Sequence, residues 1–199
     1  MPQQRQADDE APESLESDDE ESLVVFSEEL TTIYIFGQLH KKLLMHFLKY
    51  WDCLVALVKK DGNREATIII NSEGGGSSSG LAMYDRIRSS GIFVRTVGLG
   101  NICSAAIPVF LAGNVRHLHE NVLIGFHLTQ PCVCEHCDRS DIERELRDCR
   151  QIDSLHRRII LANSNLTLSK LRRFEKDQVS ITAEEAVKYN LAHEIIKNR

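Results

Sequence analysis

The two residues of this 199-residue chain best suited to nucleophilic chemistry are Ser104 and His127. Ser104 follows a glycine-containing turn and precedes an apolar run, 105–112, which predicts a strand-to-helix corner with free backbone N–H groups. His127 ends another apolar run, 122–126, where an ionisable side chain needs a partner. A serine and a histidine at the ends of adjacent elements can form a nucleophile–base pair, although a serine at such a corner is more often a helix cap.

A second group of residues has the chemistry of a metal site. Cys132, Cys134 and Cys137 surround His136, and zinc prefers thiolate and imidazole ligands. The C-x-C spacing differs from the usual C-x-x-C knuckle, so three interpretations stay open: a structural zinc site, redox or intersubunit disulfide chemistry, and no special role. The chemistry predicted for Ser104 needs no metal or nucleotide cofactor.

Hydrophobic patterns indicate the elements that must position these side chains. They predict strands at 23–26, 31–36, 66–70 and 92–97, and helices at 38–60, 139–163 and 168–176. Thr182 and Glu185 form a capping box for a last helix. Strands that alternate with helices favour an α/β fold with a parallel sheet.

Composition places the chain among single-domain globular proteins. A hydrophobic content of 42% suits a sizeable core. The sequence lacks the basic stripe with interleaved aromatic residues that is typical of nucleic-acid binding. No apolar run approaches the ~20 residues of a membrane span. Residues 1–22 carry nine acidic residues against one arginine, which predicts a disordered acidic tail before a domain at 23–199. The N-terminus lacks a signal-peptide pattern, so we expect a cytoplasmic protein.

Several motifs together resemble the proteolytic subunit of Clp proteases, the ClpP-like S14 family of serine peptidases. Residues 70–85 read I-N-S-E-G-G-G-S-S-S-G-L-A-M-Y-D and are similar to that family's I-N-S-P-G-G segment and its Y-D helix. The Ser104 turn, His127 and the segment T-A-E-E-A-V-K-Y-N-L-A at 182–192 follow in the same order. The resemblance spans roughly 23–199. It implies an α/β, ClpP/crotonase-like ββα-repeat fold with a protruding handle helix at about 129–163.

The same resemblance implies a role for each candidate residue. A Ser-His-Asp triad is formed by Ser104, His127 and Asp177, and an oxyanion hole is formed by the backbone amides of Gly75 and Ala105. Asp177 lies one residue before the position expected for the aspartate, where this chain has Gln178. Glu73 stands where the family usually has proline, so a carboxylate lies beside the predicted oxyanion hole.

The function implied is that of a serine endopeptidase subunit of an ATP-dependent, self-compartmentalised protease. The resemblance implies heptameric rings, stacked as a double ring, and an AAA+ unfoldase that feeds in unfolded polypeptides; nucleic acid and membranes are not expected partners. One alternative is a Clp-like subunit with weak or no catalysis and a structural or regulatory role. Another is a crotonase-type acyl-CoA enzyme, which shares the fold but needs no Ser104–His127 pair.

Overall fold

The computed structural model describes residues 22–28, 30–62, 65–133 and 136–198. The strands in these ranges are β1 (Leu23–Ser27), β2 (Thr32–Phe36), β3 (Ala66–Ser72), β4 (Val94–Cys103), β5 (Val115–His119), β6 (Leu123–Gly125), β7 (Ser180–Thr182) and β8 (Glu194–Ile196). The helices are α1 (Lys41–Asp61), α2 (Ser77–Arg88), α3 (Ala106–Leu111), α4 (Arg139–Ala162), α5 (Leu168–Lys176) and α6 (Ala183–Lys188). The predicted acidic tail, apart from Ser22, lies outside the described residues.

One mixed sheet carries the strands in the order β1-β2-β3-β4-β5-β8. Its central pairs are parallel, as predicted. The pair β1–β2 is antiparallel because a short turn joins the two strands, whereas a parallel pair requires a long crossover. β6 lies beside the end of β4 in parallel, and β7 pairs antiparallel with β6. The predicted parallel sheet is therefore confirmed at its centre and wrong at these two outer pairs.

The long strand β4 changes partners along its length, and this change positions the Ser104 turn. Its first half, Arg95 to Gly98, pairs with β5, and its last three residues pair with β6. Gly100 adopts a left-handed conformation between the two halves, with φ of 55°. A Cβ there would lie 2.8 Å from Asn71 Oδ1, so only glycine fits this close approach. The end of β4 therefore stays beside β3, through the pair of Ser72 and Ile102, and takes β6 in place of β5 as its other neighbour.

The core lies on both faces of the central strands. Fully buried side chains of α1, which include Phe47, Trp51 and Leu54, cover one part of it, and α3 is buried along its whole length. α1 ends at Gly62, whose φ of 69° is a left-handed helix cap. Thr167 caps α5, and the predicted capping box of Thr182 and Glu185 at α6 is confirmed.

The predicted long helix at 139–163 is confirmed as α4. Asp138 caps it, and a reciprocal bond with Asp141 completes a capping box. Cys149, Ile159 and Ile160 are its only buried residues, so packing against the rest of the described chain concentrates towards its C-terminal half. α4 therefore presents most of its surface to solvent in the described chain.

Arg116 of β5 joins the end of α4 to the C-terminal segment. Its guanidinium is buried and donates to the carbonyls of Leu191 at 2.8 Å, Asn190 at 3.0 Å, Asn163 at 3.4 Å and Gly113 at 3.5 Å. Burial is the main reason that the pKa of Arg116 is lowered. Because these carbonyls belong to separate segments, one side chain connects them.

None of the helices in the described ranges combines the length and apolar character needed to cross a membrane.

Candidate active site

Ser104 occupies a sharp turn between β4 and α3. Its backbone has a φ of 52°, a left-handed conformation that costs free energy for any residue with a side chain. The turn is held from both sides, because the Ser104 N–H donates to Gly125 O at 3.0 Å and its carbonyl accepts from Ile107 N–H at 3.0 Å. The side chain is half-buried. These two hydrogen bonds therefore hold a strained backbone conformation in place at the predicted nucleophile.

The glycine loop after β3 lies directly against this turn. A Cβ at Gly74 would lie 2.7 Å from Cys103 O and 2.8 Å from Ser104 Cβ, so a larger residue would displace the serine. Ser72 fixes the loop: its hydroxyl donates to Gly37 O at 2.6 Å and accepts from Gly74 N–H at 3.1 Å. The resemblance pointed to Gly75, whereas the glycine that lies directly against Ser104 is Gly74.

Two backbone N–H groups near the Ser104 turn donate no hydrogen bond in the part of the chain that the structure describes. Within the described residues, neither the N–H of Gly75 nor that of Ala105 donates to a carbonyl or a side chain. Gly75 has a φ of 123°, and a Cβ there would lie 2.9 Å from Leu39 N, so its amide occupies a position that only glycine can take. Glu73 is exposed. Such amides can donate to an anion that forms on a bound molecule.

His127 follows β6 and is half-buried. Its Nδ1 lies 2.8 Å from the carbonyl oxygen of Leu128. Because a carbonyl can only accept, this contact is a hydrogen bond when Nδ1 carries the proton, which in a neutral ring leaves the lone pair on Nε2. This is the tautomer that a general base acting through Nε2 requires. In the described chain, however, His127 makes no hydrogen bond with Ser104 or with Asp177.

Asp177 lies at the C-terminal end of α5 and is turned towards its own helix. Its carboxylate is half exposed and lies 3.4 Å from Arg173 Nε, one turn earlier. Phe174, three residues earlier, packs against Phe126, with 5.5 Å between the two ring centroids. The structure thus brings Ser104 and the glycine loop together but does not join Asp177 to His127, and the Asp177 assignment stays a prediction.

A polar cluster that sequence reasoning missed lies beside the segment after His127. It consists of Asp153, His156 and Arg157 of α4 and Glu175 of α5, and we call it the α4–α5 polar cluster. Asp153 Oδ1 accepts from the Thr129 N–H at 2.9 Å, and Arg157 Nε donates to Glu175 Oε2 at 2.7 Å. Arg157 also lies 3.9 Å from Asp153 Oδ2. The chain that leaves His127 is therefore fixed to α4, and α4 is fixed to α5.

Burial perturbs two titratable groups of this cluster. It raises the pKa of Glu175, against the opposing hydrogen bond and charge of Arg157. It lowers the pKa of His156, with Asp153 acting in the opposite direction and His127 adding to the decrease. Both effects follow from the cost of a charge in a poorly solvated site.

A sequence model of the Clp protease family matches residues 20–199. The chain belongs to the Clp protease family. Among curated Clp relatives, an ATP-dependent Clp protease proteolytic subunit 3 of Frankia casuarinae is 32% identical over 149 residues, which cover 73% of this chain and 68% of the relative. A proteolytic subunit 4 of Rhodococcus jostii is 28% identical over 144 residues, with 72% and 74% covered.

Solved Clp structures have the same fold. ClpP1 from Listeria monocytogenes superposes with a TM-score of 0.69 at 25% identity, and covers 86% of this chain and 94% of its own. A point mutant of that protein gives a TM-score of 0.73 at 24% identity with the same coverage. The predicted ClpP-like α/β fold is confirmed.

The cysteine-rich segment of this Clp-family chain gives no support to a zinc site. Cys132, His136 and Cys137 line one shallow pocket at the start of α4, and Cys134 lies outside the described residues. Among the side chains that are described, no group of three or more His, Cys, Asp or Glu could hold a metal ion. The Cys132 N–H instead donates to Glu145 Oε1 at 3.1 Å, which attaches the segment to the helix.

Proposed function

We propose that this chain is the peptide-hydrolysing subunit of a Clp-type protease and that Ser104 is its nucleophile. The observation that carries the proposal is the strained turn at Ser104 beside the uncommitted amides of Gly75 and Ala105. A serine in an ordinary helix cap needs neither a left-handed backbone nor two free donors next to it. Membership of the Clp family supports the same reaction class.

In the proposed reaction, His127 Nε2 takes the Ser104 Oγ proton as the oxygen attacks a peptide carbonyl. The carbonyl oxygen becomes an anion and receives hydrogen bonds from the Gly75 and Ala105 amides. His127 then gives its proton to the departing amine, which leaves an acyl-enzyme on Ser104. Water, deprotonated by His127, hydrolyses this ester and restores the hydroxyl.

The third member of the triad is the part of the proposal that requires movement. Asp177 can reach His127 only after its carboxylate leaves Arg173, and the histidine must exchange the Leu128 carbonyl for the aspartate. Both present contacts are exposed, so each contributes little to the stability of this arrangement. We infer that subunit assembly supplies the change.

The proposal includes the partners that the family implies. We propose that the subunit forms heptameric rings, stacked in pairs, in the cytoplasm, and that an AAA+ ATPase delivers unfolded polypeptides to it. The exposed surface of α4 supports a role in assembly, because a helix with so few buried residues in the subunit has apolar side chains such as Leu146 and Leu155 left to cover.

Labelling with a fluorophosphonate probe tests the nucleophile. We expect labelling of the assembled wild-type protein, no labelling of Ser104→Ala, and unchanged labelling of Ser154→Ala, which alters an exposed serine of α4. In the presence of a Clp ATPase, Ser104→Ala should also fail to hydrolyse an unfolded protein substrate, whereas Ser154→Ala should hydrolyse it as the wild type does. Labelling that survives Ser104→Ala would refute the assignment.

A non-catalytic Clp subunit is the second candidate, and a specific observation favours it. His127 and Asp177 each bind a neighbour in the chain instead of one another. If this arrangement persists after assembly, the wild-type protein will form rings but will not react with the probe. Size-exclusion chromatography combined with labelling therefore separates the two candidates.

A further inference from the structure

Glu73 places an exposed carboxylate on the glycine loop of the candidate active site. It lies between Ser72 and Gly74, which are both buried, so Glu73 is the residue of this stretch that faces solvent. Within the described chain, the Glu73 side chain makes neither a hydrogen bond nor an ion pair. Its negative charge is therefore available to a bound molecule.

Hydrogen bonds fix the loop backbone on both sides of Glu73. The Ser72 hydroxyl accepts from the Gly74 N–H at 3.1 Å. Leu39 holds the other side, because its N–H donates to the Gly74 carbonyl at 2.7 Å and its carbonyl accepts from the Gly76 N–H at 2.8 Å. The Glu73 Cα therefore has a fixed position, and the carboxylate can move only through its own side-chain rotations.

This fixed position lies beside the place that a bound peptide must occupy. A Cβ on Gly74 would lie 2.8 Å from Ser104 Cβ, so the Gly74 backbone lies against the serine, and Glu73 is bonded directly to that glycine. An extended peptide advances ~3.3 Å per residue, so about three residues on either side of a bond cleaved at Ser104 lie within ~10 Å of it. Burial raises the pKa of the Cys103 thiol, next to Ser104, and the charge of Glu73 raises it further.

We propose that Glu73 is a specificity-determining residue: its carboxylate favours peptides that carry lysine or arginine within about three residues of the scissile bond. This proposal rests on the proposed function, because it concerns the substrate of the same site. A carboxylate without a cation of its own attracts a cationic side chain of the peptide and repels an acidic one. It also opposes the negative charge that develops on the scissile carbonyl, and a cationic side chain nearby reduces that repulsion.

A series of internally quenched peptides tests this selectivity on the assembled protein. The parent peptide has a mapped cleavage site, and each member carries either lysine or acetyl-lysine at one position within about three residues of that site. Acetylation removes the charge but keeps the length of the side chain. At the preferred position, we expect kcat/KM to be about 3-fold higher for the lysine peptide. High salt should reduce this ratio, and Glu73→Gln should bring it to about 1.

Glu28→Gln removes the same charge elsewhere and is the matched control. Glu28 is exposed in the turn before β2, and β2 runs parallel to β3, so it lies at the end of the sheet opposite the glycine loop. This variant should keep the lysine preference of the wild type. The same preference in wild type and Glu73→Gln would overturn the proposal. An equal decrease for both peptides in Glu73→Gln would also overturn it, because Glu73 would then act on the reaction and not on the choice of substrate.

Peptide binding to assembled Ser104→Ala separates this proposal from the proposed function. Fluorescence anisotropy should give a Kd about 3-fold lower for the lysine peptide than for the acetyl-lysine peptide, and the added substitution Glu73→Gln should remove the difference. A wild type that hydrolyses no peptide would refute the proposed function, whereas a Glu73-dependent lysine preference in binding would still support the selectivity. Hydrolysis in the wild type without any preference that depends on Glu73 would overturn the selectivity alone.

Discussion

Replacement of Ser104 by glycine should stabilise the fold relative to replacement by alanine. A left-handed backbone costs a residue with a side chain roughly 1–2 kcal/mol, and glycine avoids this cost. Glycine also loses more conformational entropy on folding, which offsets about 0.5–1 kcal/mol of the gain. The difference left over, about 0.5–1 kcal/mol in favour of Ser104→Gly, corresponds to an increase of about 1–4 °C in Tm for a chain of this size.

Thermal unfolding at one protein concentration measures this difference, and Ser154 provides the control. Ser154 lies exposed within α4, where glycine should be less stable than alanine by about 1 kcal/mol. The sign of the glycine–alanine difference should therefore reverse between the two serines. Neither Ser104 variant should react with the fluorophosphonate probe. Ser104→Gly could instead unfold at a lower temperature than Ser104→Ala, by the same difference in Tm that separates the glycine and alanine variants of Ser154. In that case the turn is not strained, and the central argument for the nucleophile fails.

Three further outcomes follow from contacts described above. Arg157→Ala leaves the buried Glu175 carboxylate without its partner and should lower the free energy of unfolding, measured in urea, by about 3–5 kcal/mol. Adding Glu175→Gln to this variant should recover part of that loss. Gly74→Ala should lower probe labelling about 10²-fold, because the new Cβ displaces the serine turn. Its control is Gly91→Ala, where φ is also positive but no atom lies within 4 Å, so labelling should persist. The backbone N–H of residue 141 lowers the pKa of Asp138, so the capping bond is fully present above the ordinary aspartate pKa and is lost as pH falls through the lower, folded value. The protection of the first-turn amides of α4, corrected for the pH dependence of exchange in an unfolded chain, should therefore fall below about pH 4 in the wild type but not in Asp138→Asn, which caps without titrating.

The main elements of this fold could be predicted because their signals are local. The helical periodicity over 139–163 and the capping box at Thr182 need no tertiary contact to be recognised. The short strands β7 and β8 carry only three residues each and gave no usable pattern, since they exist through their pairing with β6 and β5.

The candidate site was predictable where residue type and backbone geometry coincide. The tight turn at Ser104 can be recognised from the serine and the glycines in the sequence alone. The direction of the Asp177 side chain cannot, because it depends on Arg173, one helical turn away. His156 left a signal that was not used. It interrupts the apolar stripe of α4 between Ile152 and Ile159, where a polar residue on the packed side of a helix indicates a buried partner.

The hydrogen bonds of Arg116 limit how α4 can respond to force. One of them, to the carbonyl of Asn163 at 3.4 Å, holds the C-terminal end of the helix, while the capped end at Asp138 lies more than twenty residues away. Asp153, which lies between these two ends of α4, accepts a hydrogen bond from the Thr129 N–H. A displacement of this part of α4 would therefore be passed on to the segment that follows His127.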